Sequence, residues 1–107
     1  MISKAFLIGT VLTGTMAGAV IAAPKSVEAI IKDNMFAPGI LTITKGTTVT
    51  WLNKEDYPHS VQNEQGTVLS PELETDDKFS WTFDQTGKYS LFCGIHPTMK
   101  TTVIVTP

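Results

Sequence analysis

The chain has 107 residues, 42% of them hydrophobic, and a formal net charge of −2. That is enough for one domain with a true core. The cations are all lysines, scattered along the chain, which excludes the concentrated basic patch of a nucleic-acid binder. A single cysteine excludes an intramolecular disulfide framework.

Residues 1–23 read differently from the rest. Lys4 is followed by an uncharged, mostly apolar or small-residue stretch from Ala5 to Ala23, then Pro24 and Lys25. This pattern predicts a secretory signal peptide over 1–23, with cleavage near Ala22 or Ala23 and a domain over 24–107. The alternative is an uncleaved anchor, since a membrane span needs roughly 17–25 apolar residues; the Gly, Thr and Ala content makes it a weak span. Export places the product in the periplasm. A free thiol there is a liability unless it is buried or ligated.

From Val27 onward the chain reads as short strands. Val27 to Lys32 puts Val27, Ala29 and Ile31 on one face, and Asp33-Asn34 is a turn signal. Met35 to Gly39 is an apolar stretch broken by Pro38. Ile40 to Thr44 and Thr47 to Leu52 are β-branched runs separated by Lys45-Gly46, which predicts a hairpin. Asn53 to Pro58 is a polar loop, and a strand is predicted to begin at His59 and run to Asn63. Glu64 to Asp77 reads as a long acidic surface loop with room for a helical turn. Lys78 to Phe83 alternates cleanly, Asp84 to Gly87 turns, Lys88 to Cys93 forms the next strand, and Lys100 to Thr106 closes the domain. About seven short strands with Gly and Pro turns predict an all-β sandwich. Trp51, Phe79, Trp81, Phe83 and Tyr89 are assigned to its core.

The chemistry concentrates in Cys93-Gly94-Ile95-His96-Pro97-Thr98-Met99. A thiolate, an imidazole and a thioether fall within one short loop. The second histidine, His59, lies in a separate segment. Singly, each residue has an ordinary explanation: a buried Cys, a surface His, a core Met. Together, if the fold returns His59 to the loop, they form two His, one Cys and one Met. That is the ligand set of a mononuclear copper electron-transfer site, a trigonal His2Cys plane with a weak axial Met. Pro97 stiffens the loop, Gly94 is read as giving it conformational freedom, and Pro58 fixes the approach to His59. Ser60, beside His59, is placed to tie the two loops together through its hydroxyl.

Three motifs carry a resemblance: Trp51-Leu52-Asn53; Tyr57-Pro58-His59-Ser60-Val61; and Gly87-Lys88-Tyr89-Ser90-Leu91-Phe92-Cys93 continuing to Met99. On them the chain, from about Val27 to Val105, resembles the cupredoxin family of blue copper proteins. The short gap between His96 and Met99 is similar to the amicyanin-like branch, with pseudoazurin and plastocyanin as relatives. The resemblance implies a Greek-key β-sandwich and one copper ion cycling between Cu(I) and Cu(II). It implies His59, Cys93 and His96 as equatorial ligands and Met99 as the axial one. Electrons would leave through His96 within an apolar patch of Phe36, Pro38, Ile95 and Pro97. Short-loop relatives protonate this histidine in the reduced state, which implies the same switch at His96. Ser60 departs from the family, where Asn is usual. The partners implied are redox proteins, such as a c-type cytochrome or a periplasmic dehydrogenase, met by a monomer. A copper-delivery protein would use the same ligands but usually exposed Met and His clusters. A copper enzyme would need further histidines, and a zinc hydrolase an open position and a general base.

Overall fold

A computed structural model describes residues 25–107; the signal peptide expected over 1–23 lies outside the described residues. Seven strands follow in order: β1 Ser26–Lys32, β2 Met35–Ala37, β3 Ile40–Thr44, β4 Thr47–Asn53, β5 Lys78–Phe83, β6 Gly87–Phe92 and β7 Lys100–Thr106. They form two sheets, one in the order β2-β1-β4-β5 and the other β3-β7-β6. The architecture is the all-β sandwich that the alternation predicts. Each strand turns one set of side chains inward: Ala29 and Ile31 from β1, Val49 and Trp51 from β4, Leu91 from β6, Val103 and Val105 from β7. Asp33 and Asn34, with φ of 55° and 57°, make the two-residue turn that pairs Lys32 with Met35.

The expected hairpin between β3 and β4 does not form. β3 pairs in parallel with β7, from Ile40 opposite Thr102 to Thr44 opposite Thr106. β4 pairs with β1 and β5 in the other sheet. Lys45 and Gly46 are a corner between the sheets, pinned by Lys45 N to Thr106 O at 2.8 Å and Gly46 N to Phe83 O at 2.7 Å. In a hairpin, Leu41 and Ile43 would share one sheet face with Val49 and Trp51. The corner sets these apolar rows on opposite sheets, where each buries the other.

His59 to Asn63 is also not a strand. Three isolated bridges, His59 with Leu73 and Gln62 with both Leu69 and Phe92, hold it. The 64–77 stretch has no helical turn and is not purely surface: it runs back along 59–63 and sends Val68 and Leu73 into the core. Of the five predicted core aromatics, Trp51 and Phe83 are fully buried, whereas Phe79, Trp81 and Tyr89 pack half-buried against them.

Candidate metal centre

The site is built where the irregular 53–63 segment meets the end of β6. His59 is fixed by a pair of backbone hydrogen bonds, its N–H to Leu73 O at 3.0 Å and Leu73 N–H to its O at 2.7 Å. Phe92 and Gln62 exchange a second pair, at 2.8 and 3.0 Å. These two ladders clamp the segments carrying His59 and Cys93 side by side. Both side chains are completely buried. His59 Nδ1 faces Cys93 Sγ at 3.7 Å. Two atoms bonded to one first-row metal ion at tetrahedral angles stand about 3.6 Å apart. The pair therefore has ligand-to-ligand spacing.

The sulfur receives a second contact, from the backbone N–H of Ser60 at 3.4 Å. The hydroxyl of Ser60 accepts from Gly94 N–H at 2.8 Å, which joins the histidine segment to the ligand loop. Gly94 has no positive φ, so it makes room for its neighbours rather than using the conformational freedom expected of it. A Cβ there would collide with the Gln62 side-chain amide and press within 3.1 Å of Ser60 Oγ.

The loop itself is closed by Cys93 N–H to Met99 O at 3.0 Å and Met99 N–H to His96 O at 2.8 Å. Met99 is buried, while His96 is exposed between exposed Ile95 and Pro97. The His96 ring lies 5.5 Å from that of His59, centre to centre. The structure thus brings His59 and Cys93 into contact, with His96 one ring further out and Met99 enclosed beneath its own loop. Among the described residues, no three His, Cys, Asp or Glu side chains converge on one point by themselves. The preformed part is the His59–Cys93 pair; a fourth position would fall to the thioether, which lies outside that residue set. Phe36, expected in the surface patch around His96, is buried and belongs to the core. Met35, on the same strand, is the exposed one.

Three neighbours were given no role at the site by the sequence reading. Glu55 Oε1 lies 3.6 Å from His59 Nε2, too long for a hydrogen bond but close enough for attraction. His59 Nε2 is buried with no hydrogen-bond partner, so Glu55 is the group its N–H addresses. In that tautomer the lone pair of Nδ1 is free on the side that faces Cys93 Sγ. Burial pushes the pKa of His59 down, with Glu55 opposing. The N–H of Asn34 holds Glu55 below its ordinary value. Tyr57 packs its ring against both histidines, at 5.2 Å from His59 and 6.2 Å from His96. A carboxylate four residues before a ligand histidine was the signal available for Glu55. Asn34 and Tyr57 meet only through the fold.

A family model described as a cupredoxin-like domain matches residues 4–105. Amicyanin of Paracoccus versutus is 37% identical over 95 residues, spanning 84% of this chain and 71% of the relative. A purple cupredoxin from Nitrosopumilus maritimus superposes with a TM-score of 0.70 at 33% identity, over 75% of this chain and 99% of that one. A Cu-containing nitrite reductase, NirK from Thermus scotoductus SA-01, superposes with a TM-score of 0.74 at 27% identity, over 84% of this chain but 24% of the enzyme. Sandwich, ligand spacing and relatives converge, and the chain belongs to the cupredoxin family.

Proposed function

We propose that this chain is a periplasmic type 1 copper protein that carries single electrons between redox proteins. His59, Cys93 and His96 serve as equatorial ligands and Met99 as the axial one. The observation that carries this reading is the His59–Cys93 pair, 3.7 Å apart and closed to solvent. Copper, when bound, supplies a one-electron couple between Cu(I) and Cu(II), and two imidazoles, a thiolate and a thioether suit both states in part. The remaining tasks fall to the chain. The Ser60 N–H is aimed at the sulfur, and Glu55 attracts the Nε2 side of His59, which leaves Nδ1 facing Cys93 Sγ where an ion would be held. The two backbone ladders fix both segments, which limits movement as charge changes. Exposed His96, flanked by Ile95 and Pro97, is the point where a partner's cofactor comes nearest.

The partners that fit are other redox proteins, a c-type cytochrome or a periplasmic dehydrogenase, met by a monomer. The burial of His59 and Cys93 favours retention of the ion over delivery to another protein. A catalytic role has little support, because both histidines are already used as ligands and NirK matches over only a quarter of its length. The test is to add Cu(II) to the metal-free protein lacking residues 1–23. An intense visible thiolate-to-copper band that bleaches and returns through one-electron cycles supports the reading. A colourless product that holds zinc in preference overturns it.

A further inference from the structure

Asn34 occupies the second position of the β1–β2 turn, in a left-handed conformation that asparagine tolerates. From there it grips two residues of the 53–58 segment. Its backbone N–H donates to Glu55 Oε1 at 2.7 Å, and its side-chain carbonyl accepts from the Tyr57 hydroxyl at 2.7 Å. The Tyr57 carbonyl is held as well, by Asn53 Nδ2 at 3.0 Å. Tyr57 is therefore fixed at both its backbone and its ring tip, although its side chain stands at the surface.

What the fixed ring touches matters. Tyr57, His59 and His96 form a triangle of rings, with centroid separations of 5.2, 5.5 and 6.2 Å. Tyr57 meets His96 nearly edge to face, at 77°. The other ligands have their own restraints: His59 and Cys93 are buried and laddered, and Met99 is enclosed. His96 sits on an exposed loop, and its ring packs on His59 and Tyr57.

We propose that Tyr57, anchored by Asn34, is the positioning residue for His96: a ring tied to a distant turn that restricts the exposed imidazole. The proposal rests on the copper-carrier reading for its purpose, but the restraint itself belongs to the protein without metal. An imidazole free to swing when the ion is reduced would have to be recaptured at each turnover. A fixed neighbouring ring removes that movement and so speeds exchange.

The experiment uses four variants in the full chain, Tyr57→Ala, Tyr57→Phe, Asn34→Gly and Asn34→Asp, with folding checked by circular dichroism. In the metal-free protein, NMR relaxation of the His96 ring carbons reports its mobility. In the copper-loaded protein, the electron self-exchange rate and the Cu(II) spectrum report the site. Tyr57→Ala is expected to mobilise the His96 ring and slow self-exchange by about three- to tenfold, the worth of one aromatic contact. Asn34→Gly, which tolerates the turn conformation but removes the acceptor, should move both readouts the same way by a smaller amount, as should Tyr57→Phe. Asn34→Asp retains an acceptor and should restore the parent behaviour. A His96 ring as rigid in Tyr57→Ala as in the parent overturns the proposal. So does a self-exchange rate unchanged in both Tyr57→Ala and Asn34→Gly. If Tyr57→Ala does not fold, Asn34→Gly at the exposed turn decides. A parent protein that takes up no copper refutes the carrier reading, while the metal-free measurement still judges the restraint.

Discussion

Ser60 does two jobs with two atoms: its N–H faces the Cys93 sulfur and its hydroxyl holds Gly94. Ser60→Ala keeps the first and removes the second, leaving a part-buried N–H unpaired. Urea denaturation should show a loss of about 1 kcal/mol, the usual net worth of such a bond. Copper retention and reduction potential should shift with it, because the ligand loop loses its tie; no shift in either would reduce Ser60 to a structural residue. His59 supplies a pH dependence. Its folded pKa lies below the ordinary 6.5, chiefly through burial. Under acid the unfolded metal-free chain binds a proton there that the folded one resists. Its contribution is complete above 6.5 and erodes as the pH falls below that value. Glu55 is shifted the same way from 4.5, so its contribution fades only at lower pH. Urea midpoints of the metal-free protein are therefore expected to drop between about pH 7 and pH 5, with His59→Asn flattening the slope. An unchanged slope would assign the dependence to another group. The proposed ligand residues stand out in the sequence because the chain has one Cys and two His. Asn34 and Tyr57 do not, since the contacts that tie Asn34 to the 53–58 segment span more than twenty residues and leave no local pattern; Glu55, four residues before His59, had one.

Among the elements, strand identity was legible and strand partnership was not. Alternation over Thr47–Asn53 marks β4 because every second side chain is buried. The same local signal at Lys45-Gly46 fits a hairpin or a corner between sheets. The choice is made by β7 and β1, which are distant in sequence. The 64–77 segment was misread for a related reason: its acidic side chains face solvent, while Val68 and Leu73 anchor it. Leu73 is the chief anchor, buried at the point where its backbone pairs with His59 and accepts from Asn53 Nδ2 at 2.8 Å. Leu73→Ala should cost about 2–5 kcal/mol, as for other buried aliphatics, by thermal or urea denaturation. It should also loosen copper binding, since the backbone that places His59 would lose its core contact. Stability loss with unaltered copper affinity would separate the anchor from the site.

At the scale of the whole molecule, a ligand held only by the folded state stabilises it. Loading with copper should raise the melting temperature; a stabilisation of about 4 kcal/mol corresponds to free metal at a thousand times its dissociation constant. A copper-independent melt would mean that the ion binds elsewhere or to the unfolded chain. Glu72, Glu74, Asp76 and Asp77 are exposed along one segment. Electron transfer to a basic partner through that face would slow as salt rises, and to a neutral partner would not.

The corner at Lys45-Gly46 has a temporal consequence. Because it denies β3 a neighbour in sequence, β3 must wait for β7, which lies at the centre of its sheet between β3 and β6. A chain emerging N-terminus first can assemble β1, β2, β4 and β5 early, but the second sheet has no middle until Lys100–Thr106 arrives. The metal-binding loop immediately precedes that strand, so Cys93 and His96 reach His59 only as the sandwich closes. A nascent chain thus keeps its thiol uncommitted until almost all of it has been made, and the candidate site is among the last features to be completed.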